Sequence, residues 1–113
     1  MTLHDKQVLF SKNVAALIDY ISAHQFNVTF GEAYRTPEQA AWNAEHGTGI
    51  AHSLHTERLA IDLNLFDAVG NYLTLKDQYE PFGKFWESLH PLNRWGGRFV
   101  HLVDSNHFEM QNL

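Results

Sequence analysis

The sequence predicts an α+β fold, a small and mostly antiparallel sheet with two or three helices packed around it. Three observations carry that expectation. Apolar residues recur at helical spacing in 6–24 and again in 76–90. Short apolar and β-branched runs at 26–30 and 59–66 read as strands. The element order α-β-α-β-α-β-β then closes on two further short strands. A length of 113 residues fits a single domain, 1–113, around one core. No repeat, low-complexity tract or Pro/Gly-rich linker divides it.

From the N-terminus, Phe10, Val14, Leu17, Ile18 and Ile21 fall on one face of a helix over 6–24. FNVTF (26–30) alternates apolar and polar residues as a strand does. Thr36-Pro37-Glu38-Gln39 supplies an N-cap, a proline at the first helical position and a capping-box glutamine. That helix is expected to run to about His46 and stop at Gly47. GTGIAHSLHTER (47–58) is polar and glycine-containing and reads as a loop. LAIDLNLF (59–66) has the apolar character of a strand inside a sheet, with a turn following at Gly70-Asn71. Tyr79, Phe82, Phe85, Trp86 and Leu89 place a helix over 76–90 despite Pro81 and Gly83. Residues 94–110 hold two short strands and a Gly-Gly turn.

Composition narrows the function classes. Hydrophobic residues make up 44% of the chain and aromatic ones 13%, which is the content of a folded protein rather than a disordered one. The absence of cysteine excludes disulfides and thiolate metal sites, so any metal must be held by His, Asp or Glu. A net charge of −5, with only eight Lys and Arg in all, argues against a nucleic-acid partner. No apolar run approaches the roughly 20 residues of a membrane span, so membrane insertion is not expected. MTLHDKQVLF lacks a basic region followed by an apolar stretch, so no secretory signal is read and a cytoplasmic origin is expected. Eight histidines are the unusual feature, because histidine is both the commonest metal ligand and the usual proton carrier near neutral pH.

Spacing singles out His55, Asp62 and His107 as a candidate metal triad, three N/O ligands of the kind a catalytic zinc takes. Asp62 is the strongest member. It lies between Ile61 and Leu63 in an expected central strand, where a carboxylate is costly unless paired or metal-bound. His55 and Asp62 are seven positions apart, so in one unbroken strand they would face opposite sides and a bend must intervene. His107 opens the strand HFEM (107–110), which can pair beside that of Asp62. A single histidine next to a strand is more often a surface or core residue than a ligand. Asp104, three positions before His107, suits a general base, although DSN is also a common turn and spacing alone favours the turn. The H-E-x-x-H signature is absent, since no glutamate follows His52 in the required place before His55. Arg35 can bind a substrate carboxylate through its fork or pair with Glu32 or Glu38. Gln39 fits the capping-box role. Trp95 beside Gly96-Gly97 can wall a cleft or pack in the core.

Taken together, these segments resemble the zinc peptidases that include D-alanyl-D-alanine carboxypeptidases and phage L-alanyl-D-glutamate endopeptidases. SLHTERLAID (53–62) is similar to their S-x-H-x-x-G-x-A-x-D motif, with Ser53, His55, Ala60 and Asp62 in register. DSNHFEM (104–110) resembles the second motif, an acidic residue three before the last zinc histidine and then Phe-Glu. WGGRFVHLVD (95–104) and YRTPEQ (34–39) resemble the W-G-G and Y-R-[ST]-x-x-Q segments of the phage enzymes. The resemblance implies zinc (Zn2+) on His55, Asp62 and His107, with Asp104 as general base. It further implies that Arg35 binds substrate carboxylate or steadies the oxyanion, and that Ser53 lies at the substrate edge; Trp95, if it walls the cleft, is a further substrate-binding candidate. Arg58 stands where the family has glycine, a residue that permits left-handed backbone. Here the arginine is expected either to take an ordinary conformation or to point outward from a remodelled loop, where it can bind an acidic peptide or face solvent.

The function implied is that of a peptidoglycan hydrolase. A zinc metallopeptidase, carried on the sheet and acting as a monomer, would cut the stem peptide of bacterial peptidoglycan between L-Ala and D-Glu during phage lysis. It would wait in the host cytoplasm for holin-mediated release. The alternatives are a D,D-carboxypeptidase or dipeptidase on the same scaffold and a non-catalytic, zinc-stabilised binding domain.

Overall fold

A computed structural model describes residues 1–47 and 53–113. Helix α1 (Leu3–Ala23) begins three residues before the apolar periodicity because Thr2 and Asp5 cap it reciprocally. The Asp5 N–H donates to Thr2 Oγ1 at 3.1 Å, and the Thr2 N–H donates to Asp5 Oδ2 at 3.0 Å. Its inner face carries Phe10, Val14, Leu17 and Ile21, and also Lys6 and Asn13. Lys6 Nζ donates to Asn112 Oδ1 and to the Leu113 carbonyl at 2.8 and 2.7 Å, which ties the C-terminal segment to the helix.

Strand β1 (Asn27–Phe30) leads to α2 (Pro37–Glu45), whose N-cap Thr36 accepts from the Gln39 N–H. The capping box is one-sided, since the Gln39 side chain donates to Asn43 Oδ1 instead. Gly47 follows in left-handed backbone, φ +70°. The expected loop over 47–58 is not uniformly irregular. Leu54–Glu57 forms a 3-10 turn, whereas 48–52, with His52, lie outside the described residues. Strand β2 (Ala60–Phe66) is central, and a two-residue strand β3 (Tyr72–Leu73), not expected from the sequence, pairs with its end. Helix α3 (Lys76–Leu89), β4 (Asn93–Trp95), a 3-10 turn at Gly96–Arg98 and β5 (His107–Met110) complete the chain.

The fold is α+β, as expected. The strands run β1-β2-β5-β4, all antiparallel, and α1 and α3 cover one face. Alternation sends Leu63 and Leu65 of β2 and Phe108 and Met110 of β5 into the core with Leu17, Ile21, Phe82 and Trp86. The intervening positions, Asp62, His107 and Glu109, point to the other face. Two large side chains of the core have their polar atoms paired. Trp86 Nε1 donates to the carbonyls of Arg94 and Glu109, and the Tyr79 hydroxyl donates to the Leu73 carbonyl while accepting from the Leu65 N–H. Among the described residues, no helix is long and apolar enough to cross a membrane.

Candidate active site

Strand register assembles the site. Asp62 and His107 are direct cross-strand partners between β2 and β5, and His107 Nδ1 stands 3.2 Å from Asp62 Oδ1. His55 reaches the same oxygen from the 3-10 turn, with Nε2 at 3.4 Å. One ligand atom from each of the three residues lies within 4.8 Å of the other two. Two imidazoles and a carboxylate converging in this way are a donor set suited to zinc. His55 Nδ1 is buried with no hydrogen-bond partner, and Nε2 is the nitrogen that faces Asp62.

The bend required between His55 and Asp62 is made at Arg58, which closes the 3-10 turn with φ 58° and ψ 36°. Arg58 thus takes the left-handed backbone that a glycine would adopt freely, not an ordinary conformation, while its side chain is exposed, as the outward-pointing alternative had it. Its guanidinium lies 4.0 Å over the Tyr34 ring, and Arg58 is not among the residues that line the cleft described below. Arg58→Ala should lower stability by about 1 kcal/mol through loss of the cation–π contact. Arg58→Gly should then be more stable than Arg58→Ala by about 1 kcal/mol, because only glycine escapes the left-handed penalty. Urea unfolding of the two variants checks both signs.

Asp104 does sit in a turn, and the turn is what places it. Its N–H donates to the Gly96 carbonyl at 3.0 Å, and its carbonyl accepts from the His107 N–H at 3.1 Å. A Cβ on Gly96 would stand 2.2 Å from the Asp104 carbonyl oxygen, so glycine is what allows this approach. Asp104 Oδ2 then lies 3.8 Å from His107 Nδ1. Burial raises the Asp104 carboxyl above its ordinary value, against the opposing charge of His107.

Two carboxylates that were not singled out from the sequence stand behind the histidines. Glu109, buried on the same face of β5, has Oε1 2.8 Å from His107 Nε2. Glu32, ion-paired with Arg35, has Oε1 3.7 Å from His55 Nδ1. A legible signal exists for the first: residues two apart on a strand share a face, so H-x-E in HFEM puts Glu109 beside His107. No comparable pattern marks Glu32, whose carbonyl accepts from the Asp62 N–H at 2.9 Å just beyond the end of β1.

These groups open into a cleft of about 830 Å³. Arg35, Ser53, Asp104 and Arg94 form its polar side, and Leu54, Phe99, Val100 and Leu102 form an apolar wall. Ser53 caps the 3-10 turn by accepting from the His55 N–H at 3.2 Å. Arg35 pairs with Glu32, as its simpler reading had it, but within the cleft, and its Nε is buried without a partner. Trp95 is 0% exposed and cannot wall the cleft. It is enclosed between Gly83 and Gly97, with Nε1 donating to the Ser105 carbonyl at 2.7 Å.

The charges couple strongly. Burial opposes ionisation of Asp62, but hydrogen bonds from His107 and His55 prevail and hold its carboxyl at about 2. Burial likewise opposes protonation of His107, while bonds to Asp62 and Glu109 push it up to about 9. In chelator-treated protein, His107 therefore contributes stability that is fully present below pH 6.5 and lost as pH rises through about 9. Asp62 contributes above pH 3.8, and its share is lost as pH falls through about 2. Thermal unfolding should accordingly peak between pH 3.8 and 6.5. The alkaline decline should be on the order of 3 kcal/mol.

A family model described as D-alanyl-D-alanine carboxypeptidase matches residues 40–110. Among solved structures, the Serratia marcescens L-Ala D-Glu endopeptidase ChiX has a similar fold, with a TM-score of 0.64 at 19% identity over 75% of this chain and 67% of that one. No curated protein matches the chain in sequence.

Proposed function

The chain belongs to the D-alanyl-D-alanine carboxypeptidase family, and from that premise we propose that it is a zinc peptidase of the peptidoglycan stem peptide, cutting between L-Ala and D-Glu. The observation that carries this reading is the convergence of His55 and His107 on one Asp62 oxygen, with the Asp104 carboxylate 3.8 Å from His107 Nδ1 at the floor of a cleft. In this reading His55, Asp62 and His107 hold the metal. Zinc bound there supplies Lewis acidity toward a carbonyl oxygen and toward water.

The chain's own residues do the rest. Asp104 accepts a proton from the attacking water at its carboxylate, and its raised pKa makes it able to hold that proton. As the C–O bond forms and the C–N bond breaks, Asp104 delivers the proton to the departing amine. Arg35, with a free Nε donor, steadies the oxyanion or a substrate carboxylate. Ser53, on the cleft wall, offers its hydroxyl to the peptide. We take the chain to act as a monomer and as a single peptidase domain. We place the activity in phage-induced lysis, reached from the host cytoplasm through a holin opening, on the likeness of 34–39 and 95–110 to the phage enzymes.

The family's description favours a second reading, D,D-carboxypeptidase action in the same cleft. Digestion of purified peptidoglycan with mass identification of the new termini separates the two. A free amine on D-Glu is the expected result, whereas release of terminal D-Ala would establish the carboxypeptidase. Metal analysis should find about one zinc per chain. Zinc binding with neither product would leave a zinc-stabilised binding domain.

A further inference from the structure

One pair of charged residues in the cleft bears on a single ligand. Glu109 is 5% exposed, and its two oxygens have different partners. Oε1 faces His107 Nε2 at 2.8 Å. Oε2 accepts from Arg94 Nε at 2.9 Å and from an Arg94 terminal nitrogen. Arg94 on β4 is the direct cross-strand partner of Glu109 on β5, and Glu109 lies two residues from His107 on one face of that strand. Three side chains are therefore lined up by strand register alone.

We propose that Arg94 and Glu109 are positioning residues that present His107 Nδ1 to the metal, Arg94 acting only through Glu109. The inference rests on the metal centre proposed above and extends it by one layer of residues. An imidazole that ligates a metal through one nitrogen keeps its proton on the other, where a carboxylate that is not itself a ligand can accept it. With Nε2–H donating to Glu109, Nδ1, which faces Asp62 and Asp104, is the nitrogen whose lone pair a metal would take on displacing its proton. A buried carboxylate is costly without a cationic partner, and Arg94 supplies one while leaving Oε1 to the ring. Arg94 also borders the cleft and is half exposed, so the rival role for it is to bind a substrate carboxylate directly.

Zinc affinity, measured by chelator competition at one pH, tests this on the wild type, Glu109→Gln, Glu109→Ala, Arg94→Lys, Arg94→Ala and the Arg94→Ala/Glu109→Ala double variant. Glu109→Ala should weaken zinc about 10–100-fold. Glu109→Gln should weaken it less, because the amide oxygen still accepts from Nε2–H, and this variant serves if the alanine one fails to fold. Arg94→Ala should weaken zinc by less than Glu109→Ala, with partial rescue in Arg94→Lys. The double variant should bind no more weakly than Glu109→Ala alone. In the zinc-loaded wild type, the His107 Nε2–H proton should give a slowly exchanging NMR signal that is lost in Glu109→Ala. Unchanged affinity in Glu109→Ala would overturn the proposal, as would an Arg94→Ala effect that persists in the Glu109→Ala background. Intact zinc affinity with a raised KM in Arg94→Ala would assign Arg94 to substrate instead and overturn it too. A wild type that binds no zinc would remove the metal centre itself, and the failure would already be visible before any variant is made.

Discussion

Asp104→Ala should lower kcat by about 10²–10⁴-fold, the range that general acid–base catalysis supplies, and leave the metal site and the fold in place. The side chain is not one of the three candidate ligands, and among the described residues no hydrogen bond is made by its carboxylate. What holds the turn is backbone: the Asp104 N–H to the Gly96 carbonyl and the His107 N–H to the Asp104 carbonyl. Burial already disfavours the ionised carboxylate, so removing it should change the melting temperature little. Zinc content should stay that of the wild type, and KM should move much less than kcat. Release of new amines from peptidoglycan gives the rate, and metal analysis gives the occupancy. Full retained activity would remove Asp104 as the base. In the wild type the same group should set the acid limb of the pH–rate profile, above the ordinary aspartate range because its carboxyl is raised.

The largest stability loss is expected at Gly83→Ala or Gly97→Ala. In an exposed helix interior, replacing glycine by alanine stabilises by about 1 kcal/mol. Gly83 in α3 should show the opposite sign. A Cβ there would lie 2.2 Å from Trp95 Cδ2, and one on Gly97 would lie 2.1 Å from Trp95 Cζ2. The indole has no room to retreat, because the two glycines hem it in and its Nε1 is bonded to the Ser105 carbonyl. Overpacking of this kind should cost about 3 kcal/mol or more in each variant. A smaller residue at position 95 should recover part of the loss in the double variant Gly83→Ala/Trp95→Leu, which a thermodynamic cycle measures. A Gly83→Ala protein as stable as the wild type to urea would show that the indole can shift. Ser105 lies in the turn between Asp104 and His107, so a displaced Trp95 should also weaken zinc binding.

Much of this was legible in the sequence. The period of Phe10, Val14, Leu17 and Ile21 marked α1, and an aspartate between Ile61 and Leu63 marked the centre of the sheet. Other features carried no local signal. Phe99-Val100-His101-Leu102-Val103 has the composition of an inner strand, yet Val100 is 88% exposed and Leu102 76% exposed, and both border the cleft. Trp95 gave two readings of equal weight, and only the glycines packed on either side of it decided for the core. Arg58 in left-handed backbone contradicts the usual preference of its residue type, and its stacking on Tyr34 is a contact between separate segments.

The sequence by itself determined the elements and the faces of each strand, because helical and extended periodicities depend on chain neighbours alone. It thereby put Asp62 on the side of β2 away from Leu63 and Leu65, and His107 beside Glu109 on β5. Tertiary structure decided which of those faces meet. The register that sets Asp62 opposite His107 and Arg94 opposite Glu109 arises when distant strands pack beneath α1 and α3, and a slip of one residue would send every one of those side chains to the other face. A site made from three strands and a turn exists only in that packed arrangement.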